Sequence, residues 1–374
     1  MVRTLDFSTV KSPDSDQEES VRAGFVTASR AQKSATAAGL DELDLAIVHA
    51  LQVQPRAPWT LIGEVLEVDP VTAARRWARL RDAGAAWIDG YLSPAHDTLA
   101  RAQLEITVDG SRLADVATTL SNDPAVLSLK QTSGTRDLLA IVWARDLDWL
   151  AEYITERVCR VPGVRTTRLH VITAAPFEGS QWRLRALSAA QVERLRPSEP
   201  RTRPGGSADE PLRPLERRIA VALGSDGRMP LAELAKVVGS SVATTRRGLA
   251  RLLRDGLLSL RCNLARPLTG WPVSAVYFAS VPAEHLEATA AALRTLPELR
   301  LCTMTAGPHN LILDVWLRTL HDVHGLEAHL ARELGHLRLR ITDRAVVLRT
   351  YKHVGRVLDR RGHSVRAVPT DLWD

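Results

Sequence analysis

The sequence predicts an α+β fold with two repeats, each a winged helix-turn-helix followed by a ferredoxin-like domain of β-α-β-β-α-β order. The first observation is a repeated stretch. Residues 69–84 read DPVTAARRWARLRDAG, and 172 positions later residues 241–256 read SVATTRRGLARLLRDG. The second observation is the same order of helical and alternating patterns after each copy of that stretch. A register kept over so many positions predicts a tandem duplication.

Composition narrows the class of protein. With 374 residues, 45% of them hydrophobic and 25% charged, the chain is long enough for several globular domains. Its formal net charge of +6 has the sign that suits a polyanionic partner. The three cysteines show no zinc or disulfide spacing, which predicts a reducing, cytoplasmic setting. The polar N-terminus carries no secretory signal, and the uncharged run 267–282 predicts a β-hairpin rather than a membrane span.

The first helix-turn-helix is predicted at residues 40–92, after a mobile arm at residues 1–39. Asp41 is placed to cap a first helix, and a short second helix is expected at residues 59–66. Pro70 then begins the proposed recognition helix, where its missing N–H costs nothing. A short strand at the end of this unit is expected to form the wing.

The remaining segments follow in order. The first ferredoxin-like domain is expected at residues 101–175, with two helices and four strands, among them a strand at residues 126–132 and the second helix at residues 147–158. A linker at residues 176–211 contains one short helix. The further segments are a second winged helix-turn-helix at residues 212–264, a second ferredoxin-like domain at residues 272–350 and a C-terminal tail at residues 351–374.

The repeated stretch predicts two helices that lie in a DNA major groove. In the first copy Ala73, Trp77 and Leu80 share one helix face, and the second copy repeats this spacing from Thr245. The opposite face carries arginines and no acid until the last turn, whereas a merely solvated face mixes both signs. The predicted contacts to double-stranded DNA are Thr72, Arg75, Arg76, Arg79, Ser241, Thr244, Thr245, Arg246, Arg247 and Arg251. The hydroxyl residues of this set lie in the first turns, so helix capping and DNA contact both remain open for them.

The two recognition helices differ. The first has the arginine pair Arg75 and Arg76, whereas the second has Arg246 and Arg247 one step earlier, followed by Gly248. A glycine inside a helix weakens it by about 1 kcal/mol relative to alanine. The two helices are therefore expected to prefer different half-sites, and the operator to be an imperfect palindrome.

The motifs LDELDLAIVHALQ, DPVTAARRWARLRDAG and TSGTRDLLAIVWARD, with their second copies, resemble the Lrp/AsnC (feast/famine) transcriptional regulators. The resemblance covers about residues 40–173 and again 212–350. It implies subunits that join through their sensing domains, so that this chain would be a single-chain pseudo-dimer and would assemble further into homo-oligomers. It also implies a small-molecule effector, such as an amino acid, near a glycine-x-x-aspartate turn.

In this sequence the implied effector residues fall in two turns. The first turn is Gly134, Thr135, Arg136 and Asp137, and the second contributes Gly307, His309 and Asn310, with asparagine where the family has aspartate. On the residues alone, both turns are better explained as plain hairpin turns, for which glycine supplies a positive φ.

No catalytic constellation is recognisable, and no cofactor or metal is predicted. His321 and His324, with Glu327 on the next turn, are spaced too loosely to predict a metal site, and histidine is common on exposed faces. Two rival functions remain open. One is a sirohaem decarboxylase, because tandem relatives of this family act on that tetrapyrrole through histidines of the sensing domains. The other is a metabolite-sensing protein that no longer binds DNA.

Overall fold

The structure is a computed structural model that describes residues 39–93, 99–196 and 212–373. The predicted N-terminal arm, apart from Gly39, and the 197–211 part of the predicted linker lie outside the described residues. The helices of the first half are α1 (Glu42–Val53), α2 (Trp59–Leu66), α3 (Pro70–Asp82), α4 (Leu113–Ser121), α5 (Leu147–Glu152) and α6 (Ala189–Leu195). Its strands are β1 (Ala86–Leu92), β2 (Ala100–Val108), β3 (Val126–Thr132), β4 (Leu138–Ala144) and β5 (Val164–Phe177).

The second half repeats this order of elements. Its helices are α7 (Pro214–Ser225), α8 (Leu231–Val237), α9 (Val242–Arg254), α10 (Leu286–Leu293) and α11 (Asp322–Leu334). Its strands are β6 (Leu258–Leu264), β7 (Val273–Ser280), β8 (Leu299–Ala306), β9 (Leu311–Leu317), β10 (Arg340–His353), β11 (Arg356–Leu358) and β12 (Ser364–Ala367).

Local sequence signals explain where the first three helices begin. The Asp41 carboxylate accepts from the backbone N–H of Asp44 at 2.9 Å, and the Asp44 carboxylate accepts in return from the N–H of Asp41, so α1 begins with a capping box. Asp69 accepts from the backbone N–H groups of Val71 and Thr72, and Pro70 occupies the first position of α3. The predicted cap at Asp41 and the predicted helix at Trp59–Leu66 are confirmed.

The strand after each helix-turn-helix pairs with its counterpart in the other half. Strands β1 and β6 run antiparallel, with Ala86 opposite Leu264 and Leu92 opposite Leu258. The predicted wing therefore exists as a strand, but its partner comes from the other unit and not from a hairpin of its own. Strand β1 also crosses α7, where a Cβ on Gly90 would lie 3.1 Å from the Cβ of Leu223. Only glycine allows so close an approach.

A reciprocal pair of arginines joins the two helix-turn-helix units. Arg56 donates to the carbonyls of Gly227 and Met229 at 2.7 and 2.9 Å. Arg228, which is 172 positions after Arg56, donates to the carbonyls of Pro55 and Ala57 at 2.8 and 3.0 Å. In each case the contact of one half is returned by the equivalent residue of the other, which is the signature of a twofold relation.

The two ferredoxin-like sheets close into one ring. Each has the order expected of a split βαβ arrangement, β3-β4-β2-β5 in the first half and β8-β9-β7-β10 in the second. The long strand β5 pairs first with β2 and then with β8, while β10 pairs first with β7 and then with β3. The pairing of β10 with both β7 and β3 leaves no free edge among these eight strands.

The helices cover the outside of the ring. Ala102, Leu104 and Ile106 of β2 pack with α4 and α5 in an outer core, so the alternate residues Gln103 and Glu105 face the interior. A second outer core lies under α10 and α11. The interior holds a narrow apolar band at mid-height, formed by Leu139, Val276, Phe278, Ile312 and Val347.

Three predictions of local structure need correction. The run 267–282 is not a hairpin: its start is a 3₁₀ turn, Arg266–Thr269, and its remainder is the single strand β7. The predicted tail at residues 351–374 contains the end of β10 together with β11 and β12. The helix expected at residues 147–158 changes from α to π geometry at Tyr153. Among the described residues no helix is long and apolar enough to cross a bilayer.

Candidate nucleic-acid interface and ligand sites

The recognition helices α3 and α9 present a small set of exposed cations. Arg75, Arg246 and Arg247 are exposed, and each points away from the buried stripe of its helix. Arg247 also donates to Thr244 Oγ1 at 3.3 Å, one turn earlier. These three guanidinium groups are predicted DNA contacts that the structure leaves exposed.

Other predicted DNA contacts hold the helix-turn-helix together. Arg79 donates to Asp44 at 2.5 Å, and Arg251, its equivalent in the second half, donates to Glu216 at 2.8 Å. Both carboxylates are buried, with 1% and 3% exposure, and a buried carboxylate needs a compensating charge. The side chain of Arg251 is only 17% exposed, so its prediction as a DNA contact is corrected to a structural role. The side chain of Arg79 is 56% exposed, so part of it remains accessible to solvent beside its ion pair.

Arg76 is tied to the start of α1. Its Nη1 donates to Asp41 at 2.5 Å and to Asp44 at 3.2 Å, and 29% of the side chain is exposed. The hydrogen bond to Asp41 is the main reason that the pKa of Arg76 is raised. Burial alone would raise the pKa of Asp41, but the hydrogen bond and charge of Arg76 hold it below its ordinary value. Of the first arginine pair, only Arg75 is therefore unengaged by an ion pair in the part of the chain that the structure describes.

The hydroxyl residues divide between capping, burial and surface. Ser241 accepts from the backbone N–H of Thr244 at 3.1 Å and so caps α9. Thr245 is fully buried, with 0% exposure, because it occupies the position of Ala73 in the buried stripe, and its prediction as a DNA contact is wrong. Thr72 remains partly exposed in the first turn of α3. Beside it lies Val71, 73% exposed, which the sequence reasoning missed although it stands outside the apolar stripe.

The two glycine turns meet at one end of the ring. Gly134 has φ of +95° and Gly307 has φ of +150°, which only glycine adopts readily. The side chain of Asp137 accepts from the backbone N–H of Val108 at 2.8 Å. Asn310 does the same for Val281 at 3.0 Å and also donates to its carbonyl at 2.7 Å. Both side chains thus hold a neighbouring strand, which explains why asparagine replaces aspartate in the second turn.

Residues of both turns join a partly buried polar cluster, which we call the turn-end cluster: Glu105, Arg136, His170, His309 and Asp343. Arg136 is 4% exposed, donates to Glu105 at 2.5 Å and also contacts Asp343. His170 shares a hydrogen bond with Glu105 at 2.6 Å. Burial would raise the pKa of Glu105, but His170 and Arg136 hold it below its ordinary value. Arg136 Nη1 and His170 Nδ1 are buried without partners among the described residues.

Thr135 and His309 are the remaining predicted effector residues with side chains in the two turns. Thr135 is exposed, and its Oγ1 lies 3.2 Å from Arg136 Nη2. His309 shares a hydrogen bond with Thr342 at 2.7 Å, and its ring lies 5.9 Å from that of His170. Burial is the main cause of the lowered pKa of His309, and the charge of His170 adds to it. The structure therefore brings Arg136 and His309 of the predicted effector residues to one end of the ring.

A much larger cavity lies at the other end of the ring, where β1, β6 and the C-terminal strands meet its mouth. This central pocket has a cavity volume of about 170 Å³. Aromatic side chains form part of its wall, namely Trp87, Tyr91, Trp143 and Trp316. Basic side chains form much of the rest, namely Arg101, Lys130, Arg261, Arg266, Arg300, Arg349, Arg360 and Arg361. Sequence reasoning missed this pocket because its residues come from both halves and share no local motif.

Comparisons with known proteins agree with the first half of this architecture. The family model for the AsnC-type helix-turn-helix domain matches residues 40–81, and the model for the Lrp/AsnC ligand binding domain matches residues 101–182. The regulator LrpA of Pyrococcus abyssi is 28% identical over 130 residues, which cover 33% of this chain and 90% of LrpA. An uncharacterised HTH-type transcriptional regulator of Pyrococcus furiosus is 27% identical over 122 residues, or 32% of this chain and 80% of that protein.

One solved structure resembles both halves together. The crystal structure of the siroheme decarboxylase NirDL superposes with a TM-score of 0.54 and covers 84% of this chain and 93% of its own. The identity is 14%, so the likeness concerns the fold alone.

Proposed function

We propose that the chain, whose residues 40–81 and 101–182 match the Lrp/AsnC models, is a sequence-specific, DNA-binding transcriptional regulator of that family, acting as a single-chain pseudo-dimer in the cytoplasm. The reciprocal contacts of Arg56 and Arg228 carry the proposal, because they fix two helix-turn-helix units in the paired arrangement that reads a two-part operator. The pairing of β1 with β6 adds to this rigidity.

The accessible guanidinium groups supply the DNA contacts. Arg75 in α3, and Arg246 and Arg247 in α9, bind phosphates or guanine edges, which arginine does better than lysine. Val71 is placed in the first turn to contact a thymine methyl group. Arg79 and Arg251 act indirectly, because their ion pairs with Asp44 and Glu216 set the angle between the first and the recognition helix.

The two DNA-reading surfaces differ, so the proposed operator is an imperfect palindrome. Position 76 holds arginine, whereas its equivalent at position 248 holds glycine. Selection of a duplex from a random library, followed by fluorescence anisotropy, tests this directly. Symmetrising the selected site in favour of either half is expected to weaken binding or leave it unimproved. A clear gain in affinity for a perfect palindrome would argue against two different heads.

The effector of the proposed regulator is a small metabolite such as an amino acid, bound at the turn-end cluster. The partnerless Arg136 Nη1 and His170 Nδ1 support this. The carboxylate of an amino acid can accept from Arg136, and its ammonium group can donate to His170 Nδ1, because the His170 ring already donates through Nε2 to Glu105. The test is a calorimetric screen of amino acids against the wild type and His309→Ala. Binding that the substitution leaves untouched would place the effector elsewhere. Further association through the outer faces into homo-oligomers is part of the same proposal.

A second candidate function is a sirohaem-decarboxylase-like activity. The tandem relatives use histidines of the sensing domains, and in this chain His353 lies in the wall of the central pocket. Anaerobic mixing with sirohaem, read by visible absorbance and by mass analysis of the tetrapyrrole, distinguishes the two. Loss of carboxyl groups would favour the enzyme, whereas specific operator binding without any tetrapyrrole turnover favours the regulator.

A further inference from the structure

The two recognition helices begin with caps of different charge. The Asp69 carboxylate caps α3, and its Oδ1 accepts from the backbone N–H groups of Val71 and Thr72 at 2.9 and 3.1 Å. The equivalent residue 172 positions later is Ser241, whose neutral hydroxyl caps α9. Aspartate and serine cap a helix about equally well, so capping alone does not explain this difference in charge.

The turn before each recognition helix differs in the same sense. Glu67 is exposed and has φ of +56°, in the left-handed region that residues with a side chain rarely adopt. Its equivalent in the second half is Gly239, with φ of +63°. Glycine occupies that conformation without strain, so backbone geometry gives no reason for a glutamate at position 67. Glu64, one turn earlier, corresponds to Lys236 in the second half.

The two helix-turn-helix motifs therefore carry different net charges. Residues 59–82 contain four acidic and four arginine side chains, which give a formal net charge of zero. The equivalent residues 231–254 contain one acidic and five basic side chains, which give a formal net charge of +4. Arg75 is the one cation of the first motif that forms no ion pair among the described residues. The second motif has three such exposed cations, namely Lys236, Arg246 and Arg247.

Attraction to the phosphates consequently falls mainly on the second motif. Sequence-independent binding to DNA comes essentially from cations placed against the phosphate backbone. A motif without net charge gains little from a duplex whose sequence it does not match. Contacts to the bases therefore have to supply the affinity of the first motif.

Asp69 is placed to make such a contact. The first turn of a recognition helix is the part that reaches the base edges in the major groove. The two backbone N–H groups that donate to Oδ1 fix the carboxylate, while Oδ2 has no hydrogen-bond partner among the described residues. A carboxylate accepts from the amino group of cytosine, whereas guanine and thymine present acceptors that repel it, and adenine places its N7 acceptor beside its amino group.

From these observations we propose that the two motifs divide the work of DNA binding, with the second supplying most of the sequence-independent attraction and the first selecting the sequence. Asp69 is then a specificity-determining residue that accepts from the amino group of a cytosine. Glu67 adds a negative charge that weakens the attachment of the first motif to other sequences. Ser241 does not discriminate in this way, because a hydroxyl group both donates and accepts. This inference rests on the proposed function as a DNA-binding regulator.

Exchange of the two caps tests the proposal. The full-length proteins are the wild type, Asp69→Ser, Ser241→Asp and the control Glu333→Gln, which removes an exposed negative charge from α11. Because serine and aspartate already cap equivalent helices of this chain, the exchanged variants should keep the melting temperature of the wild type. Each protein selects duplexes from a random library. Its affinity for selected and random duplexes is then measured by fluorescence anisotropy at about 50 mM salt.

The wild type should require cytosine at one position of one half-site, and replacement of that base pair should weaken binding about tenfold. Asp69→Ser should remove this requirement and tighten binding to random duplexes roughly threefold, because one negative charge near the phosphates is lost. Ser241→Asp should create a cytosine requirement in the other half-site and weaken binding to random duplexes. Glu333→Gln should match the wild type in both measurements.

The outcomes separate this inference from the proposed function. If the wild type binds DNA but all four proteins select the same sequence, or if the cap exchange leaves the affinity for random duplexes unchanged, the division of work is overturned and the regulator proposal stands. If the wild type shows no salt-dependent binding to any duplex, the proposed function itself fails, and this inference fails with it.

Discussion

The reciprocal arginines provide the sharpest test of the paired helix-turn-helix arrangement. Arg56 and Arg228 each donate two hydrogen bonds to carbonyls of the opposite unit, at distances from 2.7 to 3.0 Å. Arg228 also stacks on Trp59, with 4.3 Å between its guanidinium carbon and the ring centroid. Replacing either arginine by methionine keeps much of the apolar stem but removes both hydrogen bonds and leaves two carbonyls without donors.

The expected magnitude follows from those contacts. A hydrogen bond to a charged group contributes about 1.5–3 kcal/mol, but both side chains lie at a partly solvated junction, so we expect about 2 kcal/mol per arginine. Burial lowers the pKa of Arg228 to about 10, and the charge of Arg56 is the next cause, so the two guanidinium groups repel each other. Each single substitution also relieves this repulsion, so the double variant is expected to lose more stability than the sum of the single variants.

Urea unfolding of Arg56→Met, Arg228→Met and the double variant measures these losses, with Arg332→Met as the control on an exposed helix face. A second readout uses selected duplexes in which one half-site is shifted by half a helical turn. The wild type should reject the shifted duplex, and the double variant should discriminate less. Single-variant losses below about 0.5 kcal/mol, together with unchanged spacing selectivity, would refute the reasoning.

Three further predictions concern single side chains. Burial raises the pKa of Asp89 to about 7, so between about pH 4 and pH 7 the unfolded chain loses a proton that the folded chain keeps, and stability falls by on the order of 4 kcal/mol. Asp89→Asn should abolish this fall in pH-dependent urea unfolding, and an unchanged pH profile would contradict it. Gly248→Ala gains about 1 kcal/mol of helix propensity but places its Cβ 3.0 Å from Ile219 Cδ1. The net change in the free energy of unfolding should therefore lie within about 0.5 kcal/mol, and a loss above about 2 kcal/mol would contradict this by showing that the Ile219 contact cannot relax. Asp137→Asn should fold with nearly wild-type stability because Asn310 performs the same backbone contact, whereas Asp137→Ala should lose about 1 kcal/mol by thermal unfolding; equal losses would contradict this role.

Local pattern was enough to predict most elements. The helix Trp59–Leu66 and the strand Val126–Thr132 have the predicted bounds, because amphipathic spacing, prolines and caps act within a few residues. The prediction of a β-hairpin at residues 267–282 was wrong because the first of these residues form a 3₁₀ turn, which ends at Gly270 with φ of +79°. Alternation alone does not reveal whether a second strand follows in the same sheet.

The sequence did not predict which strands pair between the two halves. The ring is closed where β5 pairs with β8 and where β10 pairs with β3, and β1 pairs with β6. Each of these pairings joins segments that are distant in the chain and carry no local sequence signal. The structural role of Arg79 did have a signal. Asp44 and Arg79 recur as Glu216 and Arg251 at the same offset, and an acid and a base repeated together indicate an ion pair.

Binding of a selected duplex, measured by fluorescence anisotropy across a salt series, tests the central claim most directly. The variants are Arg75→Ala and Arg247→Ala, one exposed guanidinium in each recognition helix, with Arg332→Ala as the control. For the wild type the logarithm of the association constant should fall linearly with the logarithm of salt. Each recognition-helix variant should flatten that slope by about one unit, and the control should not change it.

Flattening by both variants is the result that two DNA-reading helices in one chain predict. Flattening by Arg75→Ala alone would reduce the second unit to a structural partner. Equal slopes for all four proteins would contradict the account of this chain as a DNA-binding regulator.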